Sequence, residues 1–210
     1  MTQPRIVIVD YDVGNTRSVW NAIAALGYRK LRISAAEQDI AAADALVLPG
    51  VGAFGACADN LRRYGLEGIL TEAVMVKKKP ILGICVGMQL MASSSEENGL
   101  HAGLDWIPGH VRKLDLPPGF PIPHVGWNDL QVQRSSALFA RTGRAPNFYF
   151  DHSYHYCCDP QYVSASCDYG VSVVAAIQRE NIFGVQFHPE KSQTSGLKLF
   201  RGFFEAIRAC

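Results

Sequence analysis

The strongest constraint on the fold is a set of short runs that are apolar at every position: Ile6-Val7-Ile8-Val9, Ala45-Leu46-Val47-Leu48 and Pro80-Ile81-Leu82-Gly83-Ile84. A strand with one wet face alternates apolar and polar residues, so a run without that alternation must be covered on both faces. Amphipathic segments fill the gaps. Asn15 can cap a helix whose Val19, Trp20, Ile23 and Leu26 share one face and which Gly27 stops. After a weaker strand at Leu31 to Ile33, Ser34-Ala35-Ala36-Glu37 has the form of a capping box opening a short helix. Further helices are predicted around Ala56 to Tyr64 and Leu66 to Val76. Strands alternating with helices join through right-handed crossovers into a parallel sheet.

Past about residue 100 the texture changes. Pro108, Pro117, Pro118, Pro121 and Pro123 interrupt the chain, and the runs at His110 to Leu114, Asp129 to Val132, Phe148 to Phe150, Tyr162 to Ser166, Val173 to Gln178 and Ile182 to Phe187 are strand-like. A closing helix over Gly196 to Ala209 puts Leu197, Phe200, Phe204 and Ile207 on one face. No repeat or long linker divides the chain. The predicted fold class is α/β, three layers with a mostly parallel central sheet and a smaller antiparallel extension, forming a single domain over residues 1–210.

Composition excludes other classes. With 48% apolar residues the chain is not disordered, and a net charge of +1 leaves no excess of cations to neutralise phosphates, so no nucleic-acid partner is expected. The stretch Ile81 to Ala92 is too short to span a bilayer and is broken by Gly83 and Gly87. Arg5 to Asp10 reads as a strand rather than a signal peptide, which makes a cytoplasmic protein the expectation. Cysteines at 57, 85, 157, 158, 167 and 210 contain no C-x-x-C pair, so neither a metal site nor a dithiol couple is predicted.

Gly83-Ile84-Cys85-Val86-Gly87 has the form G-x-C-x-G between a buried strand and a helix predicted to run from Met88. This is the pattern of a nucleophile elbow, where a sharp turn strains the nucleophile and glycines leave it room. Phe187-His188-Pro189-Glu190 follows another predicted strand and offers a base with a carboxylate partner. Together they suggest a Cys-His-Glu triad, with activity rising as His188 loses its proton and unaffected by the other cysteines. Pro49-Gly50-Val51-Gly52-Ala53-Phe54-Gly55 lacks the Lys of a phosphate-binding loop and is better read as a source of backbone N–H donors for an oxyanion.

These residues resemble the triad-type (class I) glutamine amidotransferases, which release ammonia from glutamine through a cysteine thioester. The resemblance is closest to the branch that supplies the glutaminase subunit of imidazole glycerol phosphate synthase in histidine biosynthesis. It is carried by Asp10-Tyr11 with Gly14-Asn15, by Pro49 to Phe54, by Leu82 to Gln89, and by Ser95-Glu96-Glu97. It continues through Pro123-His124-Val125-Gly126-Trp127-Asn128, Tyr149-Phe150 with His152-Ser153-Tyr154, and Gln186 to Ser192.

The resemblance implies Cys85 as nucleophile, His188 as general base and then acid, and Glu190 as its orienting partner. It implies an oxyanion hole from the Val86 N–H and one N–H of the Gly50-Val51-Gly52 loop, with Gln89 and the backbone of Ser153 and Tyr154 holding glutamine. No cofactor is implied. The family's glutaminase works with a (β/α)8-barrel cyclase that receives the ammonia, and Asn15, Trp127 and Lys191 match positions facing that partner. The glycine loop is implied to flip on activation, so that Gly50→Ala is expected to impair activation more than glutamine binding.

Read from residue type alone, Trp127 is a core aromatic and Lys191 a solvated charge. Asp12, Thr16 and Asp151 depart from the family pattern. Two alternatives stay open: a sister branch supplying ammonia for amidino groups on surface sugars, and a silent regulatory module that keeps the fold.

Overall fold

The computed structural model describes residues 3–143 and 146–208. Cys210 and the end of the predicted last helix lie outside them. The unbroken apolar runs are the buried strands: β1 (Ile6–Val9), β3 (Ala45–Gly50) and β4 (Ile81–Cys85) have no exposed residue. With β2 (Leu31–Ser34) at the edge, they are parallel in the order β2-β1-β3-β4. Helix α1 (Thr16–Ala25) buries Val19 and Ile23, and α2 (Glu37–Ala42) and α3 (Phe54–Arg63) supply the next two crossovers. Then α4 (Leu66–Thr71) continues into a π-helical turn, Glu72–Val76, within the segment predicted as one helix. A single turn, α5 (Val86–Gln89), follows β4.

Two short strands, β5 (Ser94–Ser95) and β6 (His101–Ala102), join β7 (Gly109–Lys113) and, beyond β8 (His124–Val132) and β9 (Asn147–His152), β10 (Tyr154–Cys158) in a separate four-stranded sheet. The main sheet continues through β11 (Val163–Asp168), β12 (Ser172–Arg179) and β13 (Ile182–Val185). Its nine strands run β2-β1-β3-β4-β13-β12-β11-β8-β9. β13 lies parallel to β4 and every later pairing is antiparallel, so the antiparallel extension is continuous with the parallel half. The last helix, α6 (Gln193–Arg208), meets α1, while α4 meets α2 and α3, giving helical layers on both faces of the sheet. Its buried stripe is Leu199, Phe200, Phe203 and Phe204, one step round from the predicted face, which leaves Leu197 and Ile207 partly covered.

Two predicted caps are replaced by other contacts. Asn15 sits at the N-cap of α1 but does not cap it. Ser34 Oγ accepts from the Ala36 N–H and donates to Asp39 Oδ2 (2.7 Å), so the helix starts after Ala36 and no capping box with Glu37 forms. A serine hydroxyl has several local partners within reach, and here a closer carboxylate competes.

Candidate active site

β4 and β13 end side by side: β4 closes on Cys85, and β13 leads through Gln186 and Phe187 to His188. Cys85 takes φ 54° and ψ −114°, a backbone conformation costly for any residue with a side chain. The surrounding glycines permit this by letting backbones approach. A Cβ on Gly87 would lie 1.8 Å from the Leu48 carbonyl oxygen, and one on Gly50 would lie 2.5 Å from the Gly87 nitrogen. Gly50 pairs in register with Cys85, which brings the Pro49–Gly52 segment to the nucleophile. The helix predicted from Met88 is only the one-turn α5, too short for a large macrodipole to act on the thiol.

His188 is buried and shares the cavity wall with Cys85, whose sulfur acts on the imidazole electrostatically. Its Nδ1 lies 2.7 Å from Glu190 Oε1, whose side chain is fully buried. That distance leaves Nε2 for the thiol. The imidazole pKa is raised from 6.5 to about 10: burial works against the charge, but the negative charge of Cys85 and Glu190 and the hydrogen bond to Glu190 outweigh it. Cys85 and Glu190 thus both stabilise a proton on His188, as a base that takes the thiol proton requires.

Asn15 reaches the same carboxylate, its Nδ2 donating to Glu190 Oε1 at 2.6 Å. Glu190 Oε2 is buried without a partner. Behind the thiol, the buried Gln186 directs Nε2 at Cys85 Sγ (3.8 Å) and accepts from Gln89 Nε2 (3.0 Å), which also donates to the Tyr154 carbonyl (3.0 Å). No site role was read for Gln186, although a lone amide in an otherwise apolar strand run was a visible signal.

The Pro49–Gly52 segment is pinned at two carbonyls. Tyr11 OH donates to Pro49 O (2.5 Å) and Cys57 Sγ to Val51 O (3.4 Å), the Cys57 thiol being kept protonated by burial that pushes its pKa to about 11. Cys57 is therefore not remote from the chemistry, contrary to the reading of the other cysteines as bystanders. Gly52 takes φ 88°, and a Cβ there would meet nothing within 4 Å. Conformational freedom resides at Gly52, while Gly50 is required for space.

A cavity of about 380 Å³ opens over Cys85, lined by Val51, Gly52, Val86, Gln89, His152, Ser153, Tyr154 and His188. Glu97, whose Oε2 accepts from the Phe54 N–H at 2.7 Å, also faces it; sequence reading gave that residue no role. At the mouth, Lys191 lies 3.7 Å from Asp151 and 5.4 Å from the Tyr149 ring centroid. Trp127 is 47% exposed, so it is not a core aromatic, and its ring meets Tyr149 edge-on. No group of described residues is arranged to hold a metal ion, and no described helix is long and apolar enough to cross a membrane.

A buried cysteine strained at a parallel strand end, beside a histidine that a buried carboxylate orients, defines a thioester-forming amidotransferase or hydrolase. A family model described as glutamine amidotransferase class-I matches residues 7–207, and the chain belongs to that family. Curated relatives narrow the branch. The imidazole glycerol phosphate synthase subunit HisH 2 of Vibrio vulnificus is 45% identical over 204 residues, covering 97% of this chain and 95% of that protein. The HisH subunit of Streptococcus sanguinis is 46% identical over 202 residues, 96% of each chain. Solved structures share the fold: PurLQS from Thermotoga maritima superposes with a TM-score of 0.74 at 19% identity, over 98% of this chain and 100% of that one. The glutaminase domain of Trypanosoma brucei CTPS gives 0.65 at 19% identity, over 97% and 94%.

Proposed function

We propose that the chain is the glutaminase subunit of an imidazole glycerol phosphate synthase, a single-domain cytoplasmic enzyme that hydrolyses glutamine with Cys85, His188 and Glu190. The observation that carries the chemistry is the strained Cys85 sharing a cavity wall with a His188 whose Nδ1 is held by a buried carboxylate. Its similarity to HisH subunits over nearly the whole chain supports the pathway.

In this reading glutamine enters the cavity with its side-chain amide over Cys85. The Glu97 carboxylate suits the substrate's ammonium group, and Gln89 and the Ser153-Tyr154 backbone hold the rest. His188 takes the Cys85 proton as the sulfur attacks the amide carbon, and the oxygen gains negative charge that the Val86 N–H and one N–H from the Gly50-Val51-Gly52 loop stabilise. His188 gives its proton to the nitrogen as the carbon–nitrogen bond breaks, releasing ammonia and leaving a γ-glutamyl thioester. Water then attacks the thioester as His188 takes its proton, and glutamate leaves as the sulfur regains the bonding pair and the proton from His188.

The partner is a (β/α)8-barrel cyclase that receives the ammonia. Trp127, Val125 and Lys191 form an exposed patch around Tyr149 beside the cavity mouth, which fits such a docking face. Asn15 enters that reading differently, because its side chain is spent on Glu190 and couples α1 to the triad.

The test is glutamate release by the purified chain mixed with the cyclase of the histidine pathway or with the barrel of the amidino-sugar branch. Release with the first alone supports the reading. Release with the second alone transfers the chain to the sister branch, and none with either favours a silent module.

A further inference from the structure

Antiparallel pairing of β8 and β9 sets His124 directly opposite His152, and both rings are buried. His124 Nδ1 lies 3.1 Å from His152 Nε2, and His152 Nδ1 lies 2.8 Å from the Tyr154 carbonyl oxygen. At the other end, Asn128 Nδ2 lies 3.4 Å from His124 Nε2 and donates to the Asp168 carbonyl at 2.8 Å.

The tautomers follow from one fixed point. A carbonyl oxygen only accepts, so His152 carries its hydrogen on Nδ1 and offers a lone pair at Nε2. His124 must then donate from Nδ1 and accept at Nε2 from the Asn128 amide. Every hydrogen in the row points toward Tyr154, and a further proton on either ring would set two N–H groups against each other or break the bond to Asn128. Burial agrees, holding His124 near 4 and His152 near 3, so both rings are neutral at physiological pH.

The row ends in the wall of the glutamine cavity. Its terminal acceptor, the Tyr154 carbonyl, is the same oxygen that Gln89 engages from the turn after Cys85. His124 is clamped between Phe150 and Tyr169, with ring centroids 4.7 and 3.9 Å away, so its position is fixed by stacking as well as by hydrogen bonds.

We infer that His124 and His152 are positioning residues for the substrate: a one-directional hydrogen-bond row, anchored at Asn128, that sets the Ser153-Tyr154 peptide against which glutamine binds. Neither ring touches the reacting sulfur.

The inference rests on the glutaminase reading, and its test has one arm that does not. His124→Phe keeps the stacked ring but removes the donor to His152, whereas His124→Asn places an amide N–H where Nδ1 was. With saturating partner subunit, His124→Phe is expected to raise KM for glutamine about tenfold with kcat within twofold, and His124→Asn to restore most of the loss. An unchanged KM in both variants, or equal losses in both that track a lowered Tm, would overturn the role.

The second arm is nitrogen NMR of the intact chain at neutral pH. The row requires a protonated Nδ1 and an unprotonated Nε2 on both rings. The opposite tautomer or a doubly protonated ring at either position would overturn it, whether or not glutamine is turned over.

Discussion

Replacing Asn15 by glycine isolates the contact that joins α1 to the triad. Asn15 has φ 81°, where glycine is unstrained, and its side chain does not cap α1, so the substitution removes little besides the 2.6 Å bond to Glu190. That bond matters because the Glu190 side chain is fully buried and Oε2 has no partner, leaving His188 as the sole remaining donor among the described contacts. A hydrogen bond to a buried charged acceptor contributes about 1.5–3 kcal/mol. If the whole of it is lost from the transition state, kcat/KM falls by roughly 10- to 150-fold, since 1.36 kcal/mol is tenfold. Glutamate release is measured with partner subunit at saturation, which removes any effect on docking. Asn15→Ala should be worse still, because alanine adds the cost of a left-handed conformation, about 1–2 kcal/mol, and lowers Tm as well. Turnover by Asn15→Gly within threefold of the parent would refute the idea that Glu190 depends on this donor.

The two loop glycines should separate. Gly50→Ala forces a Cβ to 2.5 Å from the elbow backbone and is expected to cost about 1–3 kcal/mol of stability along with activity, whereas Gly52→Ala meets no neighbour, bears only the left-handed strain of about 1–2 kcal/mol, and should blunt activation by more than its loss of Tm accounts for. Parallel melts and turnover assays decide; a fully activated Gly52→Ala would contradict the role of loop freedom. Stability should peak near pH 6.5. Above it, the charged His188 loses its contribution as the pH rises toward about 10, because the native state holds a proton the unfolded chain has released. Below it, His124, His152 and His155 stay neutral to between about 3 and 4 while the unfolded chain takes up protons, so stability falls with acid. In Tm measured against pH, His188→Gln should flatten the alkaline limb between 6.5 and 9; an unaltered limb would contradict the assignment.

Sequence reading recovered the parallel half of the sheet because burial on both faces leaves a compositional trace in each strand. It also located the cysteine and histidine, because both follow such strands. It missed what depends on register and side-chain direction. His124 and His152 are 28 residues apart and meet only through the β8–β9 pairing. Asn15 and Glu190 are 175 residues apart, and a polar residue at a helix start was assigned to the helix rather than to a carboxylate across the fold. The glycines of G-x-C-x-G were read as room for a strained residue. The structure agrees: Cys85 bears the strain, and Gly87 leaves the room that the Leu48 carbonyl occupies.

The most direct measurement is glutamate formation by the complex of this chain with the histidine-pathway cyclase, comparing the parent with Cys85→Ala. The account predicts turnover for the parent and a loss of at least about a thousandfold for the variant, with Tm and partner binding preserved. Turnover that survives in Cys85→Ala would show that the bond is broken elsewhere and would contradict the triad.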